Sequence, residues 1–415
     1  MSGIKLSVCI PTYNREAYLR SALDRFLTHY KFDFPYEVVI SDNASTDNTT
    51  QVVEEYIAKG VPISYHRRDT NGGSLANTIC AFHQAVGEYA IYHADDDFLA
   101  PDGLTEAVSY MDVNPDVSVC QAPWHFYDEV NDRDLSQFYT IEKEVKFAQR
   151  SFVEVFQFVC ERHIFPEIGL YRASALRSSW VPREFCFWAF SYLAHFLDQG
   201  SVVFLPKPFY RSVAVSKIAP NRQQAGNDDV MTSWDKYRGG LEYFLHIASK
   251  RGSLALTGES RLVFEELCKA FTLNRMSVAI RFWAQRKDFI KVYELYTRMS
   301  IGGMPNHPEV VGLKDRLPLM VALQTLAYHA TATAGITHLM LCGVADKKAL
   351  EDMLYELGLA AEIRVVSEPK VHDPGQLKRT VIFLSNAARY QHFVGLGYKP
   401  NLIFTEQDLT AHVMI

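Results

Sequence analysis

Over the first 125 positions, short continuous apolar runs alternate with apolar stripes at helical spacing, and this alternation predicts a β-α-β-α-β-α-β succession. Residues 6–10 read as a buried strand stopped by Pro11, after which Leu19, Ala22, Leu23, Phe26, Leu27 and Tyr30 share one helix face. Residues 36–40 are a second strand. Ser45, Thr46 or Asp47 can cap the next helix, whose stripe is Val52, Val53, Tyr56 and Ile57 and whose end is marked by Gly60. A third strand at 63–66 leads to the turn Asn71-Gly72-Gly73 and a helix carrying Leu75, Ile79, Phe82 and Val86. Gly87 then opens the apolar run 89–94, which ends in Asp95-Asp96-Asp97. Connections this short predict a mostly parallel sheet flanked by helices.

Past Asp102 the pattern gives a short helix and a strand at 117–122, then weakens, with strand candidates at 167–171 and 202–205. Between about 226 and 330 it turns helical: Trp234, Tyr237, Leu241, Phe244, Leu245 and Ala248 share one face, and Phe289, Val292 and Tyr296 another. From His338 strand-like runs return at 339–342, 363–366, 381–384 and 402–404, with a helix over 347–357. The expected fold class is therefore α/β, in three parts: a sheet domain over 1–215, a helical region over 216–334 and a small Rossmann-like module over 335–415. The module has Leu341-Cys342-Gly343 after its first strand but no full glycine fingerprint, so no second cofactor is expected there.

Composition narrows the function classes. With 48% apolar residues among 415, the chain has enough to bury for more than one core, and a net charge of −6 gives no electrostatic case for nucleic acid. Seven scattered cysteines argue against a disulfide framework or a zinc cluster. No leader pattern opens the chain and no run reaches the length of a membrane span, so a cytoplasmic location is expected. The segment Arg281-Phe282-Trp283-Ala284-Gln285-Arg286-Lys287 leaves peripheral contact at the inner membrane face open, against the alternative of a half-buried helix with snorkelling cations.

In an open α/β sheet ligands bind beyond the carboxyl ends of the strands, and four polar features fall there: Pro11-Thr12-Tyr13-Asn14, Asp42-Asn43, Arg67-Arg68 and the aspartate triplet. A nucleotide in that crevice would find hydrogen-bonding partners in Asp42 and Asn43 and backbone donors near Pro11 and Thr12. Clustered carboxylates offer the hard oxygen ligands that suit Mg²⁺ or Mn²⁺ against a diphosphate. Taken singly, Asp42, Asn43, Ser45 and Asp47 also fit turn and cap roles, the glycines fit a turn, and three aspartates fit a solvated helix entry. Arg211 could reach a phosphate or anchor the domain edge.

The segments Ser7-Val8-Cys9-Ile10-Pro11-Thr12-Tyr13-Asn14-Arg15, Tyr36-Glu37-Val38-Val39-Ile40-Ser41-Asp42-Asn43-Ala44-Ser45-Thr46-Asp47, Asn71-Gly72-Gly73 and His93-Ala94-Asp95-Asp96-Asp97 resemble, in order and spacing, the successive signatures of family-two glycosyltransferases of GT-A fold. The resemblance covers residues 4–125 and extends more weakly to about 215. It implies a GT-A-like domain that takes a nucleotide-sugar donor, with Pro11, Thr12, Tyr13, Asn14, Asp42, Asn43, Arg68, Asn71, Gly72 and Asp96 on the donor side. Asp95 and Asp97 would hold Mn²⁺ or Mg²⁺, the triplet leaving the register open by one residue. The implied reaction moves a sugar from a nucleoside-diphosphate donor, UDP-linked, to a hydroxyl of a saccharide, lipid-linked or protein acceptor in polysaccharide, glycolipid or glycoprotein assembly. In it the metal stabilises the departing nucleotide.

The acceptor half departs from the family pattern. Counting a dozen residues back from Gly200, where the family often has an acidic pair, reaches Trp188 and Ala189. Glu184 and Glu167 are the candidates for the catalytic base, with His195 a further one. Two rivals follow: a nucleotidyltransferase, which would be expected to carry a glycine- and arginine-rich phosphate loop after the first strand, and a non-catalytic sugar-nucleotide-binding or scaffold protein on a degenerate transferase domain.

Overall fold

The computed structural model describes residues 3–179, 185–219 and 232–415. The chain divides into two compact units, Met1–Thr272 and Leu273–Ile415.

In the first unit, β1 (Leu6–Thr12), β2 (Tyr36–Asp42), β3 (Ile63–Arg67) and β4 (Tyr89–Tyr92) alternate with α1 (Glu16–Thr28), α2 (Thr49–Ala58) and α3 (Ser74–Gln84). These four strands lie parallel, so their carboxyl ends share one sheet edge. The continuous apolar runs are explained by burial on both faces: Leu6, Val8, Cys9, Ile10, Val38, Val39 and Ile40 are all fully enclosed. Neither Ser45 nor Thr46 caps α2. Asp47 instead accepts from the backbone of Thr49 (3.1 Å) and from that of Glu16 (3.1 Å), so one carboxylate serves the first turns of two helices.

The sheet continues to eight strands in the order β3-β2-β1-β4-β10-β6-β11-β9. The added strands are β6 (Val117–Gln121), β9 (Val145–Phe147), β10 (Gly169–Arg172) and β11 (Ser201–Phe204). β10 runs antiparallel between β4 and β6, with Leu170 opposite Ile91, so the residues leading into it lie at the edge where β4 ends. A smaller sheet, β5-β12-β7-β8, is built from β5 (Phe98–Leu99), β7 (His125–Asp128), β8 (Arg133–Gln137) and β12 (Tyr210–Val215). The intervening helices are α4 (Pro101–Val113), α5 (Phe152–Glu161), α6 (Ala173–Ser178) and α7 (Trp188–Gln199), and helix Trp234–Lys250 packs on the same core through Tyr237, Leu241 and Phe244.

One close approach fixes α4 against the strand end that leads into β12. A Cβ built on Gly103 would stand 2.0 Å from the Pro208 carbonyl oxygen, a backbone atom that cannot rotate away. Gly103→Ala is therefore expected to destabilise the first unit by about 1–3 kcal/mol, as overpacked sites do, and thermal unfolding measures it. An unchanged melting temperature would mean that α4 can slide.

In the second unit, β13 (His338–Cys342), β14 (Arg364–Ser367), β15 (Thr380–Leu384) and β16 (Ile403–Thr405) form a parallel sheet in the order β14-β13-β15-β16. Helices Phe289–Ile301 and Leu317–Ala332 precede it, and Leu323, Leu326, Leu339, Leu341, Val381 and Phe383 share its core. The chain there ends on helix Glu406–Thr410, held by a reciprocal cap in which Thr405 and Asp408 bond each other's backbone. No helix among the described residues is long and apolar enough to cross a membrane.

Candidate functional site

A cavity of about 500 Å³ opens at the edge where β1 and β4 end. It is walled by residues that come from separate parts of the sequence: Pro11 and Thr12 at the end of β1 with Tyr13 and Arg15 beyond it, Asn43 after β2, Asn71, Gly73, Ser74, Asn77 and Thr78 around the start of α3, and Tyr92 at the end of β4 with Ala94 to Asp97 beyond it. Trp124, Glu167, Ile168, Tyr210 and Ser212 complete the lining. Its volume is that of a site for a medium-sized ligand, which typically runs to several hundred Å³.

The three aspartates divide their work. Asp95 is buried, accepts from the Thr12 hydroxyl (2.8 Å) and lies 2.9 Å from Arg15 Nε. Asp96 receives Arg15 Nη2 at 2.5 Å, so a single guanidinium spans two adjacent carboxylates. Burial pushes the Asp95 carboxyl above its ordinary range, and Asp96 adds to the shift while Arg15 opposes it. Asp97, expected as the second metal ligand, instead accepts from Tyr210 Oη (2.9 Å) and the Val213 backbone (2.8 Å), and Arg25 donates to its carbonyl (2.8 Å). Asp97 thus pins the loop to β12, and the carboxylate beside Asp95 at the guanidinium is that of Asp96.

Tyr210 has a second part in this clamp, since its hydroxyl also accepts from the Ala94 backbone at 3.0 Å. Tyr210→Phe removes two bonds to the loop, one of them to a carboxylate, and should cost about 1–3 kcal/mol. Thermal unfolding measures the loss; a variant as stable as the parent would show that Val213 and Arg25 suffice. Immediately before the loop, His93 is fully buried among the rings of Phe26, Tyr30 and Tyr210, and burial pushes its imidazole down to about 3, so it packs as a neutral aromatic.

The donor-side candidates separate into those that face the cavity and those that shape it. Pro11, Thr12, Tyr13, Asn43 and Asn71 line it. Asp42 does not: it is fully buried and accepts from the Ser45 backbone (2.8 Å) and Tyr65 Oη (2.7 Å). Asn14 is turned to the Thr46 backbone (2.7 Å), and Gly72 donates to the Asn43 side chain (3.0 Å). Arg68 donates to the Ala76 carbonyl (3.0 Å), fastening the turn to α3. Arg211 makes a two-pronged pair with Asp134 (2.6 and 2.8 Å), the edge-anchoring alternative.

Of the acidic candidates for the base, Glu167 lines the cavity, and Glu184 lies outside the described residues. Tyr92 lines the cavity too: burial, and then the charges of the triplet and Glu167, hold its phenol protonated. His195 is engaged with Tyr243 Oη at 3.0 Å and does not line the cavity.

Several wall residues carried no role in the sequence reading: Arg15, Asn77, Tyr92, Trp124 and Tyr210. Arg15 directly follows the first strand-end motif, which was a usable signal. Trp124 and Tyr210 reach the site through β6 and β12, whose pairing is set by tertiary contacts rather than by local pattern.

The residues present suit a divalent cation. Asp95 and Asp96 present oxygen ligands to the cavity, and the guanidinium across them shows that the pair accepts a cation. Among the described residues no cluster of three or more metal-ligating side chains occurs, so a diphosphate and water would have to complete the coordination.

Residues 7–176 match the family described as Glycosyl transferase family 2. Abequosyltransferase RfbV of Salmonella typhimurium is 37% identical over 116 residues, which is 28% of this chain and 35% of that protein. Poly(ribitol-phosphate) beta-N-acetylglucosaminyltransferase TarS of Staphylococcus aureus is 36% identical over 113 residues, 26% of this chain and 19% of TarS. The chain thus spans about a third or less of the length of these relatives. A crystal structure of TarS residues 1–349 with UDP-GlcNAc aligns over 79% of this chain and 86% of that one at 20% identity and a TM-score of 0.48, too loose a likeness to carry an assignment.

Proposed function

Residues 7–176 are a glycosyl transferase family 2 region, and from that premise we propose that the chain is a metal-assisted glycosyltransferase moving a sugar from a nucleoside-diphosphate donor, UDP-linked, to an acceptor hydroxyl. The observation that carries this reading is a single cavity lined both by strand-end polar residues with the aspartates and by Glu167. A nucleotidyltransferase fits less well, because Pro11-Thr12-Tyr13-Asn14 stands where its phosphate loop would be.

On this reading Pro11, Tyr13, Asn43 and Asn71 receive the nucleoside, and Asp95 with Asp96 would hold the cation. When bound, that cation supplies Lewis-acid stabilisation of the departing nucleotide. Glu167 takes the proton of the acceptor hydroxyl as it attacks the anomeric carbon. Ile168 and the Trp124 indole, stacked on Phe138 at 4.5 Å, give the acceptor side an apolar wall suited to a sugar face. The acceptor class, saccharide, lipid-linked or protein, remains that implied by the sequence resemblance, and any peripheral membrane contact rests on the segment from Arg281 to Lys287. The names of the two relatives specify different sugars, abequose and N-acetylglucosamine, so neither is carried over.

The test is a turnover assay over a panel of nucleotide sugars with Mn²⁺, alongside calorimetry with UDP and Mn²⁺. Metal-dependent release of nucleotide from one donor, abolished by chelation and restored by Mn²⁺, is the expected result. Binding of UDP without turnover of any donor would instead identify a sugar-nucleotide-binding protein.

A further inference from the structure

Arg15 is the N-cap residue of α1, and its side chain is 26% exposed where the carboxylates it spans are 6% and 10% exposed. Its charge faces both carboxylates at once, where a divalent ion would also be drawn. Its grip is also uneven. Nη2 bonds Asp96, whereas Nε, 2.9 Å from Asp95, is off the line of a hydrogen bond. The guanidinium rests at the same time on the Tyr18 ring, 4.2 Å from its centroid, which gives the side chain a hold independent of the aspartates.

We propose that Arg15 is a resident counter-cation that competes with the divalent metal for Asp95 and Asp96 and is drawn off by the donor's diphosphate. This rests on the donor-site reading above. The planar, always-charged guanidinium lines the same cavity as the aspartates, so an anionic diphosphate entering it offers Arg15 oxygen acceptors of its own. Metal and diphosphate then bind cooperatively: each clears part of the cost that Arg15 imposes on the other, and by linkage the effect is reciprocal. Arg15 acts here through the carboxylates and is a positioning residue.

The experiment titrates the full chain with Mn²⁺ alone, by electron paramagnetic resonance, for the parent, Arg15→Gln and Arg15→Lys, and repeats each titration with saturating UDP. Removing the competing charge should tighten binding of Mn²⁺ alone by about tenfold in Arg15→Gln, the equivalent of one moderately strong ion pair. Arg15→Lys, which keeps a charge but loses the fork, should fall between that variant and the parent, and it covers the case in which the glutamine variant does not fold. UDP should tighten Mn²⁺ binding strongly in the parent and less in Arg15→Gln. Mn²⁺ affinity unchanged or weakened in both variants would overturn the proposal. Because no sugar donor is used, a protein that transfers nothing can still show this order of affinities, so failure of the functional reading is told apart from failure of this one.

Discussion

Asp95→Asn is expected to lower donor turnover by about a thousandfold while leaving the fold as stable as before or more so. The first half follows from position. Asp95 is the one member of the triplet held jointly by the end of β1, through Thr12, and by Arg15, so its charge sits where a diphosphate would meet a cation. Loss of one preorganised charge-stabilising group typically costs about two to three orders of magnitude in rate. The second half follows from burial, which raises the Asp95 carboxyl above its ordinary 3.8. The sign is explicit: a carboxyl held high in the folded state ionises sooner in the unfolded chain, so it costs stability once the pH passes its ordinary range. A neutral asparagine of the same shape carries no such cost, and the Arg15 guanidinium keeps Asp96. Paired measurements of turnover and thermal unfolding decide it. Full metal-dependent turnover in a well-folded Asp95→Asn protein would sink the site assignment.

Glu167→Gln carries the second large effect, a fall in kcat of about a hundredfold to ten-thousandfold with donor affinity kept. The antiparallel register of β10 on β4 is what brings this glutamate to the cavity, because it carries the chain before Gly169 toward the end of β4. The substitution keeps the size of the side chain and removes its negative charge and its capacity to take a proton. The discriminating readout is therefore the split between steps: UDP binding by calorimetry unchanged, acceptor-dependent transfer lost. Equal loss of both would make Glu167 a wall residue, and unchanged transfer would move the search for the base elsewhere.

The contrast between these two residues shows what the sequence made legible. Asp95 was visible because a parallel β-α-β array repeats one local rule, in which each apolar run ends at the same sheet edge, so strand-end polar residues collect without knowledge of long-range pairing. The strands expected at 167–171 and 202–205 exist as Gly169–Arg172 and Ser201–Phe204. β7, β8 and β9 were not foreseen, since they are three to five residues long and β8 is largely exposed, leaving no alternation to read. The same physics hid the division of labour within the triplet. Which aspartate is tied to β12 depends on Tyr210 and Val213, and nothing within a few residues of Asp97 announces them. Asp42 has protein partners of the same hidden kind. A carboxylate after a strand suggests a ligand contact, but here Tyr65 and Ser45 use it to build the strand end itself.

The bonds from Asp97 to Tyr210 and Val213 span 113 and 116 residues of sequence. They impose an order on assembly during synthesis. The β-α array and its aspartates leave the ribosome long before β12 does, and until β12 docks, the carboxylate of Asp97 lacks the two donors that allow its burial. The acidic loop is thus completed late, by a contact whose loop-closure cost is paid only near the end of the unit. A recombinant fragment cut at the end of the family match, residue 176, would contain Asp95, Asp96 and Asp97 and still lack the strand that holds Asp97 in place.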